Sequence, residues 1–277
     1  MSTMAADQML DEPPPAPPVT DLAAAGLTTR WLGRRHEWLA ACASTNDVCT
    51  ERARAGAEAG LVIAADTQTA GRGRLGRSWH SPPGDNLYVS LLLRPKRAPA
   101  EIPPLTLLAG AAVADAVAAL GLLPRLKWPN DVQLVDRASD GGVRRRKLAG
   151  ILTEMATSGA SVEHVVVGIG INVNGVDFPP DLADRATSVA LALGRRVARA
   201  ELLASVLNAF EPRYDDFVRR GPAAAVDAFG AHAALPERCR VDDRLQGTAL
   251  RIDADGALIV RDDAGRIHRV VSGEIHT

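Results

Sequence analysis

Three arginines, Arg72, Arg74 and Arg77, are interleaved with Gly71, Gly73 and Gly76 in the stretch TQTAGRGRLGRSW (67–79). Guanidinium forks match the oxygens of carboxylates and phosphates, and glycine lets a backbone approach a ligand closely. The glycines formally spell G-x-G-x-x-G after an apolar run, as a dinucleotide-binding turn would. That turn needs a helix to begin within the motif, so that the helix N-terminus holds the pyrophosphate. Here Gly76 is followed by RSWHSPPGD, and Pro82, Pro83 and Gly84 forbid such a helix. Two readings remain: a mobile loop whose arginines meet an anion, or a solvated basic turn.

Lysine is scarce enough to be informative. Of 32 basic residues only three, Lys96, Lys127 and Lys147, are lysines. Lys127 opens KWPNDV (127–132) and Lys147 opens KLAGILTE (147–154). A compact ammonium on a flexible stem differs from a planar fork, so these positions suggest a requirement for a point charge. With three lysines, chance placement also stands.

The elements that must hold these residues can be read from pattern. STNDVCTERARAGAEAG (44–60) reads as a helix capped by Ser44 or Thr45. LVIAADTQ (61–68) and NLYVSLLLRP (86–95) read as buried strands flanking the glycine loop. LTLLAGAAVADAVAALG (105–121) and RAELLASVLNAFEPRYDDFVRR (199–220) read as helices. RLKWPNDVQLV (125–135), KLAGILTEMA (147–156) and HVVVGIGINVN (164–174) read as strands. From about residue 233 the texture becomes short alternating strands with turns at Asp255–Gly256 and Ala264–Gly265, which fits a small β-barrel. Residues 1–20 read as a disordered Pro-rich tail.

Taken in order, STND (44–47), TQTAGRGRLGRSW, NLYVSLLLRP, KWPNDV, KLAGILTE, GIGINVN (168–174) and the closing SGEI (272–275) resemble the biotin protein ligases. The likeness covers roughly residues 40–220 and the C-terminal cap. It implies an α+β fold: a mixed-sheet domain of the class II aminoacyl-tRNA synthetase and lipoate ligase type at 21–232, then an SH3-like barrel at 233–277. It also implies a two-step reaction, in which biotin and ATP give biotinyl-5′-AMP, and a lysine of a biotin carboxyl carrier protein then takes the biotinyl group.

By that resemblance, Ser44, Thr45, Asn46, Gln68, Arg72, Gly73, Arg74, Lys147 and Gly150 meet biotin. Arg72, Arg74, Trp79, Lys127, Asn130, Asp131 and Asn172 meet ATP or the adenylate, and Lys147, Arg74, Lys127 and Asp131 serve catalysis. Asp131 is the candidate Mg²⁺ ligand. Read from the residues alone, Ser44 is also a helix cap, Asp131 a turn residue, and Trp79 equally a core residue or a stacking face. Gly168 and Gly170 alternate on a strand and would leave one face bare for a flat ligand.

Composition narrows the alternatives. A net charge of −1 gives no global pull toward nucleic acid, three cysteines without metal-ligand spacing fit a reducing compartment, and no apolar run reaches membrane-spanning length. A cytoplasmic enzyme, monomeric or homodimeric, is expected. The 43 residues before Ser44 leave no room for a winged helix, so DNA-binding repression is not expected. A lipoate- or octanoate-transferring enzyme would share the fold. The segment VQLVDRASDGGVRRR (132–146) is longer than the family's hairpin, and its basic end is read either as an ATP contact or as a solvated loop.

Overall fold

The structure is a computed structural model, describing residues 21–137, 142–242 and 244–276. The tail at 1–20 lies outside the described residues. Seven strands form the first sheet: β1 (His36–Leu39), β2 (Val62–Ala65), β3 (Leu87–Leu93), β4 (Pro124–Lys127), β5 (Asp131–Arg137), β6 (Val143–Ser158) and β7 (Ser161–Ile171). Their order is β1-β2-β3-β7-β6-β5-β4. Only β1 and β2 run parallel; every other neighbouring pair is antiparallel.

Side chains alternate across a strand, and here the two faces have different fates. On β3, Leu87, Val89, Leu91 and Leu93 join the main core, as do Val165, Val167, Ile169 and Ile171 on β7. Above that face lies α2 (Leu105–Ala118), whose small side chains pack it close to the sheet. After the short helix α3 (Val189–Leu193), helices α4 (Arg199–Arg220) and α5 (Pro222–Gly230) pack against α2, and α4 adds Leu203, Leu207, Phe210 and Phe217 to the core. By length and composition Pro99–Ala118 could cross a membrane, yet it is 72% buried in the protein as its central helix. The single charged residue of α2, Asp115, is paired with Arg213 and with His232 Nε2 at 2.7 Å.

The opposite face is only half covered. Helix α1 (Thr45–Arg54) seals one part with Cys49 and Ala53 against Ile63, Leu92 and Val166. The remainder, where Ser90, Gly168, Gly170 and Gly150 lie, is left for a cleft.

A second, antiparallel sheet contains β8 (Glu237–Val241), β9 (Leu245–Ile252), β10 (Leu258–Asp262), β11 (Ile267–Val270) and β12 (Ile275–His276), in the order β11-β10-β9-β8-β12. Its turns fall at Gly256 and Gly265, both at positive φ. The molecule is therefore α+β, as expected.

Three expectations change. RLKWPNDVQLV is a hairpin, not one strand: the chain reverses over Trp128–Asn130, and Lys127 pairs with Asp131. Pro129 supplies no ladder N–H and marks the reversal. Helix α1 ends at Arg54 rather than near residue 60, because Gly56 takes a left-handed φ of 91°. The described residues of 132–146 are mostly strand rather than loop, and at the basic end Arg145 pairs with Glu237 and Arg146 with Asp136 while Arg144 is exposed.

Candidate active site

The uncovered part of the sheet is the floor of a cleft whose walls are the start of α1, the glycine loop, the β4–β5 turn and the end of the second sheet. Every sequence-nominated residue except Asn172 lines it. Its free interior is about 120 Å³, below the roughly 300 Å³ at the small end of ligand pockets. No residue from 72 to 78 is buried, so the glycine loop is the wall least held by packing.

That loop is a tight hairpin: Gly73 N–H donates to Arg77 O at 2.7 Å, and Trp79 N–H donates to Gly71 O at 2.8 Å. A Cβ at Gly71 would stand 2.7 Å from both Ser81 Oγ and Trp79 O, so the turn closes only with glycine. No helix follows, which confirms the rejection of a dinucleotide turn.

The three arginines are held differently. Arg72 donates to Asp47 at 2.7 Å and to Glu154 at 3.1 Å. The Asp47 bond raises its pKa. Arg77 pairs with Glu274, whose carboxyl that bond holds down at about 2. Arg74 makes no ion pair among the described residues. It donates at 3.3 Å to Asn130 Oδ1 and to Gly273 O, and burial lowers its pKa against the charges of Asp131 and Glu274. Lys127 likewise forms no ion pair among the described residues. Arg74 and Lys127 are thus the cations not already matched to a protein carboxylate.

Lys147 comes from β6. Its backbone is fixed on both sides, donating to Arg185 O at 2.7 Å and accepting from Thr187 N–H at 2.9 Å. Its Nζ is 2.7 Å from Asp131 Oδ1 and 5.2 Å from the Trp79 ring centre. Asn130 is fixed as well, donating from Nδ2 to Ile151 O at 2.9 Å. The turn between these residues is tied to the second sheet by Trp128 Nε1, which donates to Gly256 O at 3.0 Å.

At the far end Ser44, Thr45 and Asn46 begin α1. Ser44 occupies the N-cap position, yet its side chain makes no capping bond. Gln68 Oε1 accepts from Thr45 N–H at 2.9 Å, while its Nε2 donates to Ser81 Oγ at 3.1 Å.

Two readings need correction. Asn172 is buried and does not line the cleft, and its Nδ2 donates to Thr187 O at 3.0 Å, tying strand end to loop. The strip over Gly168 and Gly170 is not bare. A Cβ at Gly168 would meet Asn46 Oδ1 at 2.3 Å, and one at Gly170 would meet the Trp79 ring at 2.6 Å. The glycines make room for protein side chains. Trp79 therefore lies on the sheet with its Nε1–H buried and without a hydrogen-bond partner among the described residues. Sequence reasoning missed Asp47, Glu154 and Glu274, although all three lay inside quoted motifs. Their opposite charge to the loop was the available signal.

Comparison with known proteins agrees with this geometry. Residues 38–172 match the model of the biotin/lipoate A/B protein ligase family, and residues 237–276 match the biotin protein ligase C-terminal domain. The chain is 35% identical over 253 residues to a biotin–[acetyl-CoA-carboxylase] ligase of Mycobacterium tuberculosis, covering 87% of this chain and 88% of that protein. It is 36% identical over 257 residues to the bifunctional ligase/repressor BirA of Bacillus subtilis, covering 90% and 76% respectively. A solved structure of the biotin protein ligase from Aquifex aeolicus in complex with biotin and ATP superposes with a TM-score of 0.72 at 29% identity, over 88% of this chain and 98% of that one. A mixed-sheet domain with this cleft, closed by this C-terminal sheet, places the chain in the biotin protein ligase branch of the biotin/lipoate A/B protein ligase family.

Proposed function

We propose that the protein activates biotin with ATP as biotinyl-5′-AMP and passes the biotinyl group to a lysine of a biotin carboxyl carrier protein. The carrying observation is the meeting, in one cleft, of a cation cluster and a pocket of hydrogen-bonding groups. Arg74, Lys127 and Lys147 stand at one end, and Ser44, Thr45 and Gln68 at the other. Relatives named as biotin ligases support the same reading.

The chemistry asks for such an arrangement. A carboxylate oxygen must attack the α-phosphorus of ATP, and the two anions repel. Fixed positive charge aimed at the reacting oxygens lowers that barrier. Lys147 and Arg74 would hold the carboxylate against the phosphate, while Lys127 would meet the phosphates. Pyrophosphate leaves, and the carrier amine later attacks the acyl carbon and releases AMP.

Asp131 and Asn130 offer too few oxygens to hold a cation alone, and one Asp131 oxygen already faces Lys147. They suit Mg²⁺ shared with nucleotide phosphates, where it would neutralise developing charge. Residues 21–232 and 233–277 are proposed as the catalytic and capping units, with the cytoplasm as the compartment.

Biotin-dependent exchange of labelled pyrophosphate into ATP tests the reading. Exchange is expected with biotin and not with lipoate. Exchange with lipoate alone would reassign the chain to the other branch of the family. The likeness to a ligase/repressor adds a second readout, binding to operator DNA in the presence of biotin and ATP.

A further inference from the structure

Glu154 reaches two neighbours with one carboxylate. Besides Arg72, it accepts from Asn46 Nδ2 at 2.6 Å, and Asn46 Nδ2 also faces Leu152 O at 3.4 Å. Both partners are pure acceptors, so the NH₂ end of Asn46 must point at them and its Oδ1 must point away. Asn46 Oδ1 lies 2.6 Å from Ser90 Oγ, which is fully buried. An amide oxygen cannot donate, so Ser90 gives its single hydrogen there. Ser90 Oγ is also 2.8 Å from Thr45 Oγ1. With the Ser90 hydrogen used, that contact is a hydrogen bond only if Thr45 donates.

The result is a one-way relay, Thr45 to Ser90 to Asn46 to Glu154. Its direction is set by the one member that cannot donate while ionised. At the cleft end, Thr45 Oγ1 is left with lone pairs and no hydrogen. Gln68 Oε1, an acceptor because the Thr45 N–H fixes that amide, is the other oxygen within reach of the Thr45 hydroxyl hydrogen, at 3.2 Å. Ser90 Oγ at 2.8 Å is nearer and would otherwise face Thr45 oxygen to oxygen. Two acceptor oxygens side by side select a ligand that presents N–H groups.

We propose that Glu154 is a positioning residue. Through Asn46 and Ser90 it turns the Thr45 hydroxyl into an obligate acceptor, and so sets the preference of the cleft for the N–H edge of a cyclic urea. This rests on the biotin reading above. Glu154 acts without touching the ligand through the relay, and its ion pair with Arg72 is a separate contact. In Glu154→Gln the new amide can offer either end to Asn46. Only the long 3.4 Å contact to Leu152 O then holds the amide, so Asn46 can turn over, and Thr45 is free to present its hydrogen to the cleft.

The test is a double-mutant cycle on biotin-dependent pyrophosphate exchange with Glu154→Gln, Ser90→Ala and the pair. Residues 154 and 90 do not bond to each other, so coupling between them must run through Asn46. Each single variant is expected to raise the KM for biotin about tenfold, the scale of one hydrogen bond, with kcat changed less than about twofold. The double variant is expected to be no worse than the worse single. KM effects that multiply, or a fall in kcat at unchanged KM, would overturn the relay. Should Glu154→Gln not fold by circular dichroism, Ser90→Ala alone decides, and an unchanged KM for biotin overturns the proposal. Wild-type protein lacking any biotin-dependent exchange would instead overturn the functional reading on which the relay rests.

Discussion

Lys147 occupies a place that a guanidinium fills only by displacing its neighbours. Its ammonium contacts Asp131, lies over Trp79, and sits 3.3 Å from where a Cβ on Gly150 would be. Lys147→Arg keeps the charge and moves it outward into that packing. Loss of one well-aimed donor at a reacting oxygen typically costs about 2.7–4 kcal/mol. Exchange by this variant is expected to fall roughly a hundredfold or more, and wild-type exchange would place the chemistry elsewhere. Arg74 differs because it has no carboxylate partner to leave behind. On the proposed reading, biotin alone would bring it one carboxylate and the adenylate would add a phosphate, so its bonds would favour the later species. Arg74→Gly is expected to retain biotin binding but release adenylate early. The measurement is labelling of a bystander protein at equal biotin and ATP, where the variant exceeds wild type. Equal labelling, with adenylate still formed, would show that Arg74 is no lid.

Elements explain what the sequence disclosed and what it concealed. Strands β3 and β7 and helices α2 and α4 were legible because each buries a long regular apolar face. The hairpin at Trp128–Asn130 was hidden because Leu126, Trp128, Val132 and Leu134 keep a strand-like alternation through it, and only Pro129, Asn130 and Asp131 signal the turn. The cation half of the site was legible from residue type and motif. The carboxylates that hold its loop arginines were not, since Asp47, Glu154 and Glu274 come from three distant segments that only tertiary structure brings to the loop. Likewise, no local pattern shows that Asn46 and Trp79 fill the strip left by Gly168 and Gly170.

One element carries a pH dependence. Glu211 on α4 is buried and accepts from the backbone N–H groups of Arg30, Trp31 and Leu32 at 2.7–3.0 Å. Burial acts to raise its pKa, but those bonds outweigh it and the net shift is downward. A depressed carboxyl contributes stability that is complete above its unfolded value, about 4.3, and is lost as pH falls through the folded one. Glu211→Gln is expected to lower stability at pH 7 by about 1.5–3 kcal/mol, with a smaller difference below pH 4. Thermal melts at both pH values check this, and an unchanged gap would remove Glu211 from the account.

At the scale of the molecule, the second sheet is part of the site. Glu274 holds Arg77, Gly273 receives Arg74, and Gly256 receives the indole of Trp128. With Glu274 held at about 2, its pairing with Arg77 persists through neutral and mildly acidic pH and is lost only as pH falls toward that value. Glu274→Gln is expected to loosen the loop, read as several-fold faster tryptic cleavage after Arg74 or Arg77 at pH 7.5. Cleavage at the wild-type rate would mean that the loop holds its shape without the sheet.

The cleft draws on positions from Ser44 to Ile275. A ribosome delivers those positions in order, so a nascent chain lacks the last wall of its cleft until the final strand has emerged. Reactive acyl-adenylate made by an unfinished chain would spill among the amines of the translation machinery. Gly273 and Glu274 reach the loop arginines only once synthesis has passed them, so the order of the residues makes this the last wall of the cleft to form.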